Sequence, residues 1–111
     1  MARVQTKKGG DARLIIERFA DDDYVTIPAG YRVESIVVKK RGTTAGALEI
    51  GTAVGGAEVV TSTALGTVNG AFVQLTINAG YANYSVATKL YLDVSVPAAA
   101  GDISFQIQKV L

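Results

Sequence analysis

Three consecutive carboxylates, Asp21-Asp22-Asp23, form the densest group of potentially reactive side chains in this sequence. Two carboxylates flanking a glycosidic bond can act as acid and base. Hard cations such as calcium take several carboxylate and carbonyl oxygens. Adjacent carboxylates in a turn point apart, however, and usually stay solvated. The run therefore reads first as an acidic turn, with calcium binding as the sharper alternative and glycosidase chemistry well behind. The chain contains no His and no Cys. Ser-His-Asp and Cys-His constellations are impossible without them, as are disulfides and cysteine-based metal or redox sites. The expectation is a non-enzymatic protein with no catalytic residue, cofactor or metal site assigned.

Other residues suggest recognition. Tyr81 and Tyr84 lie close together and would suit a carbohydrate platform, although tyrosines more often cover a sheet end or a subunit contact. Lys39-Lys40-Arg41 reads as a charged strand end that blocks edge pairing, against a sharper reading as a patch for an acidic partner. Arg3, Lys7 and Lys8 make residues 1–11 basic, with Gly9-Gly10 as a hinge. This segment reads as a flexible N-terminal arm, either a capsid-docking arm that orders on an acidic surface or a plain tail. The Gly9-Gly10 and Gly55-Gly56 pairs lack the strand–glycine–helix context of a phosphate loop.

The elements that must position these residues are strands. At 111 residues one core suffices. Apolar residues make up 49% of the chain, yet no run approaches the ~18 that span a membrane. Met1-Ala2-Arg3 leads into polar residues with no signal-type apolar stretch. A net charge of +1 argues against a nucleic-acid partner. Pro28 and Gly30 set a tight turn between a strand at 24–27 and a long strand at 31–41. In that long strand Val33, Ser35 and Val37 alternate with Ile36 and Val38. Apolar residues on both faces make Ile36 and Val38 the expected subunit-interface positions, together with the small-residue stretch 52–70. Segment 12–19 favours a strand over a short helix. Three later segments alternate with period two: 71–77, 90–96 and 103–107. They place Leu92, Val94, Phe105 and Ile107 in a core. Asn69-Gly70 is a hairpin turn signal. The sum is an all-β fold: an antiparallel, jelly-roll-like β-sandwich of seven to nine short strands over residues 12–111.

The order of elements resembles a known group. An Ile27-Pro28-Ala29 turn precedes a Val/Ile-rich strand and Leu48-x-Ile50-Gly51. A Gly/Ala/Thr-rich excursion then leads to Leu90-Tyr91-Leu92-Asp93-Val94, the Gly101-Asp102 turn and Ile103-x-Phe105-x-Ile107. Residues 24–111 thereby resemble the small jelly-roll modules of tailed-bacteriophage virions, namely capsid decoration proteins, head fibres and trimeric tail-fibre parts. The resemblance implies a structural protein on the capsid surface of a virion assembled in the host cytoplasm. Its partner would be the major capsid protein or another virion component, and its form a homotrimer. A monomeric carbohydrate-binding β-sandwich module is the alternative.

Overall fold

The computed structural model describes residues 2–6 and 11–110. Ten strands run in chain order: β1 (Ala2–Thr6), β2 (Asp11–Ile16), β3 (Tyr24–Ile27), β4 (Tyr31–Lys40), β5 (Ala47–Gly51), β6 (Val60–Ala64), β7 (Phe72–Leu75), β8 (Asn83–Tyr84), β9 (Thr88–Val94) and β10 (Gly101–Lys109). A 3-10 turn, Pro97–Ala99, precedes β10. One sheet has the order β1-β2-β10-β4-β7, with the short β8 also on β4; the other has the order β3-β9-β5-β6. All pairings are antiparallel. With β1 and β8 set aside, every step along the chain from β2 to β10 crosses to the other sheet except β5 to β6, giving the orders β2-β10-β4-β7 and β3-β9-β5-β6. This is jelly-roll connectivity.

Period-two alternation builds the core. Ile103, Phe105 and Ile107 of β10 face inward with Leu14 and Ile16 of β2, and Leu90, Leu92 and Val94 of β9 face them from the second sheet. The expected core residues Leu92, Val94, Phe105 and Ile107 are all buried. The Pro28 turn forms as anticipated: Tyr31 N–H donates to the Pro28 carbonyl, and Gly30 sits at φ +81°, where a Cβ would be strained.

Strand β4 corrects the sequence reading. Opposite β10 the register jumps between Gln106, which pairs with Ser35, and Ile107, which pairs with Val33. Glu34 is the extra residue of a β-bulge, and the bulge resets the parity of the strand. Val33 and Ile36 therefore share the inner face, and Val37 lies outward. Ile36 and Val38, expected at a subunit interface, are instead fully buried between the two sheets of their own chain. The second sheet supplies the cover that the sequence reading assigned to a neighbour.

The N-terminal boundary also differs. Ala2–Thr6, read as part of a free arm, pairs along its length with β2, and Asp11 is the first residue of β2. Unsatisfied N–H and C=O groups along the β2 edge accept a further strand whatever its composition. Lys7 and Lys8 lie outside the described residues, as does the side chain of Arg3.

The loops gather at two ends. Residues 17–23, 41–46, 65–71 and 95–100 meet at one end, tied by Phe19 N–H to the Gly101 carbonyl, Gly70 N–H to the Lys40 carbonyl and Leu65 N–H to the Gly46 carbonyl. Residues 28–30, 52–59 and 76–87 meet at the other.

Candidate functional site

The 41–46 end holds the most unusual side chain. Lys40 closes β4 on the same face as Ile36 and Val38 and is fully buried. Its Nζ donates to the Thr44 carbonyl at 2.5 Å and to the Ala99 carbonyl at 2.7 Å. One ammonium thus ties the 41–46 loop to the 3-10 turn. Burial lowers the Lys40 pKa, because a charged ammonium is disfavoured away from water. Packing around it is close. A Cβ at Gly46 would run into the Ala99 side chain, and one at Gly101 into the Lys39 carbonyl.

On the outer face of the six-stranded sheet, at the same level, Asp102 accepts from Arg41 Nε at 2.9 Å and from the Arg18 backbone N–H at 2.9 Å. Arg18 has φ +49°, so this bond holds a strained turn. Burial pushes the Asp102 carboxyl up, but its bonds to Arg41 and Arg18 outweigh that and hold it below the usual range. A cleft of about 390 Å³ runs between Arg18, Arg41, Pro97 and Ala98. A smaller one, about 250 Å³, lies beyond Arg41 between Lys39, Asn69 and Asp102. Oriented cations beside short apolar residues suit a carboxylate contact.

Further along, this outer face carries Asp11 and Arg13 of β2 and the Arg32–Glu34 ion pair of β4, with an uncharged stretch between them and Lys39. Ile15, Ser104, Val37 and Gln74 form one row across β2, β10, β4 and β7. Phe72 borders it on the edge strand, 72% exposed and paired with Lys39.

The outer face of the four-stranded sheet is different. Tyr24 and Tyr91 pair across β3 and β9 with ring centroids 5.5 Å apart at 48°, and Lys89 Nζ stands 4.7 Å from the Tyr24 ring. Two residues further along β9, Asp93 lies opposite Glu49. A proton shared with Glu49 pushes Asp93 up to about 6, with burial and then the Asp21 carboxyl adding to the shift. Folding therefore favours protonated Asp93. This group's contribution to stability is most favourable below its ordinary value of 3.8 and is lost as pH rises through about 6. In dilute monomeric protein, Asp93→Asn should raise the melting temperature at pH 8 relative to the parent and leave it nearly unchanged at pH 4. An equal effect at both pH values would show that Asp93 is not protonated preferentially on folding.

The residues singled out from the sequence fare unequally. In the acidic turn, Asp23 Oδ2 accepts from Ala20 N–H at 2.7 Å, and Asp21 Oδ1 accepts from Val94 N–H at 3.1 Å. Asp22 is exposed at φ +67°. Asp21 and Asp23 thus turn to different backbone donors while Asp22 faces outward, and among the described residues no group of three or more Asp or Glu is placed to hold a metal. Tyr84 is buried, and its hydroxyl donates to the Tyr81 carbonyl at 2.6 Å. Burial pushes its pKa up to about 12, with the neighbouring Tyr81 and Glu58 adding to it. Tyr81 packs half-buried against the core, so the two rings do not form a platform. Of the Lys39-Lys40-Arg41 run, Lys39 is exposed as expected and Lys40 is inside. The grouping of Asp21, Glu49 and Asp93 was missed, because it joins three distant segments. Its local signal was Asp93 standing outward between Leu92 and Val94.

Fold and surface together define a jelly-roll β-sandwich whose two outer faces contrast in charge. No family model matches this chain, and neither a curated protein nor a solved structure matches it.

Proposed function

We propose that this chain is a structural protein of a tailed-bacteriophage virion, a capsid decoration or cement protein that binds the capsid surface as a homotrimer. The observation that carries the reading is the uncharged row Ile15, Ser104, Val37 and Gln74 on β2, β10, β4 and β7, bordered on the same face by Arg13 and Lys39. Depletion of charge at the centre of a surface is the compositional mark of a protein interface. Jelly rolls serve viral capsids and lectins alike, and a shared fold leaves the choice to the surface. The carbohydrate-binding alternative shares the same fold class, and burial of the Tyr84 ring speaks against the Tyr81–Tyr84 platform considered for it. On this reading the chemistry of the protein is adhesion. Three weak docking contacts on one trimer multiply into a stable attachment, with each further contact made at high effective concentration. Arg3, Lys7 and Lys8 add positive charge for an acidic capsid surface, so attachment weakens with salt.

The test has two parts. Sedimentation at micromolar concentration should give three times the chain mass of 11.6 kDa. The protein should also bind tailed-phage capsids stripped of their decoration and raise the temperature at which they rupture. A monomer that binds glycan arrays and ignores capsids would replace this reading with the carbohydrate-binding one.

A further inference from the structure

One side of the sandwich is built from an uncharged stretch of chain. From Val59 to Thr88 there is no Asp, Glu, Lys or Arg. That stretch holds β6 and β7, which end their respective sheets. Both end strands lie on the same side. The 65–71 loop joins them at one end. At the other, Asn78 N–H donates to the Val59 carbonyl at 2.8 Å, and Asn78 Nδ2 donates to the Glu58 carbonyl at 3.1 Å. Thr61, Ser62, Ala64 and Gln74 are exposed along the two strands. Phe72, the first residue of β7, is 72% exposed, and Val68 in the connecting loop is 65% exposed.

Charged side chains and proline are among the usual guards of a free strand edge. The opposite side of the sandwich, ended by β1 and β3, carries them. Arg3 lies in β1, and β3 stands between Asp23 and Pro28 with Lys89 Nζ over its Tyr24 ring. β6 and β7 contain neither a charge nor a proline. The register of β6 on β5 slips between Leu48 and Ile50. A bulged edge resists open-ended strand addition, so a partner on this side packs against its side chains. An uncharged side suits an uncharged partner. A charged surface would give up hydration there and find no countercharge. The same side of another copy meets that requirement.

Strand direction agrees. The loop and the Asn78 bonds tie the ends of β6 and β7 together, so the two strands run oppositely over the same height. A third of a turn about an axis parallel to the strands, set outside this side, preserves height. It brings β6 of one copy beside β7 of the next, antiparallel. Each copy gives β6 to one neighbour and β7 to the other. Both strands lie on one side, so three copies close around the axis. We infer that the β6–β7 side is the subunit contact, with three copies turning these sides to a common axis and β6 of each packing against β7 of the next. The inference rests on the homotrimer reading above and names its contact.

Ser62 and Phe72 are exposed, so Ser62→Lys and Phe72→Glu should leave the melting temperature of dilute monomeric protein nearly unchanged. In sedimentation each should raise the concentration for trimer dissociation about tenfold or more, because like charges from three copies converge at the axis. Thr26→Lys, at an exposed position of β3 on the opposite side, should leave that concentration unchanged. In the parent chain, backbone amides of β6 and β7 should exchange hydrogen more slowly at concentrations that give trimer than in dilute solution. A trimer that tolerates both charged variants overturns this contact and leaves the homotrimer reading standing. A trimer weakened by Thr26→Lys alone overturns it in favour of the β1–β3 side. Protection of β6 and β7 that appears only on added capsids overturns it in favour of the capsid. A dimer or a monomer in sedimentation overturns the homotrimer reading and this contact with it.

Discussion

Phe105→Ala is expected to destabilise the chain by about 3–5 kcal/mol, a large share of the ~5–15 kcal/mol that holds an ordinary domain folded. Phe105 is fully buried at the middle of β10, between Leu14 of β2 and Ile36 of β4. Strand β10 is the inner strand that joins the β1-β2 edge to β4 and β7. Truncation leaves a ring-sized void that neighbours on both sides can only partly fill, since both are held by ladder hydrogen bonds. Urea denaturation should show a lower midpoint with an unchanged slope. Ser104→Ala, one residue away on the outer face, should stay within about 0.5 kcal/mol. A loss below about 1 kcal/mol for Phe105→Ala would contradict the inward parity of β10.

The second large effect belongs to Lys40. Lys40→Ala removes the ammonium that donates to the Thr44 and Ala99 carbonyls and empties the space of a four-carbon stem. The cost should be about 3–5 kcal/mol. Lys40→Met fills the space but takes that donor away from both carbonyls, for about 1–3 kcal/mol. Removing the ammonium also removes its desolvation penalty, which keeps the methionine variant at the lower end at neutral pH. The pH dependence separates these terms. Burial lowers the Lys40 pKa below the ordinary 10.5. Between those two values the unfolded chain binds the extra proton, so the lysine's contribution to stability grows as pH rises. The gap between the parent and Lys40→Met should therefore widen toward pH 10. Lys39→Met, its exposed neighbour, should show neither effect on monomer stability. Equal behaviour of the two lysines would rule out the cross-link between the 41–46 loop and the 3-10 turn.

Much of the fold was legible in the sequence because a strand's two faces are written two residues apart. Ile103-x-Phe105-x-Ile107 and Leu90-x-Leu92-x-Val94 announce their inner faces directly, and Pro28 and Gly30 fix a turn through their own backbone limits. The edges were not legible. Ala2–Thr6 alternates only Ala2 and Val4 with Arg3 and Gln5, too brief a pattern to announce a strand, and it pairs because β2 offers it an open ladder. In β6, Thr61, Ser62 and Thr63 carry no pattern, and pairing with β5 makes them a strand.

The site was legible only where chemistry is a matter of residue type. The lack of His and Cys excluded nucleophilic triads and thiol sites without any coordinates. Alternation by itself determined an all-β sandwich and named Leu92, Val94, Phe105 and Ile107 in its core. Tertiary structure alone decided which side of β4 faces inward, because a bulge at Glu34 shifts parity through pairing with β10. That shift sent Ile36, Val38 and Lys40 into the interior and left Val37 and Lys39 outside. Separately, β5–β9 pairing and the bond from Val94 N–H to Asp21 brought Asp21, Glu49 and Asp93 together from three segments. Charge position on a surface depends on which strands become neighbours, and neighbour order in a jelly roll is set by long-range pairing, which no local window of sequence contains.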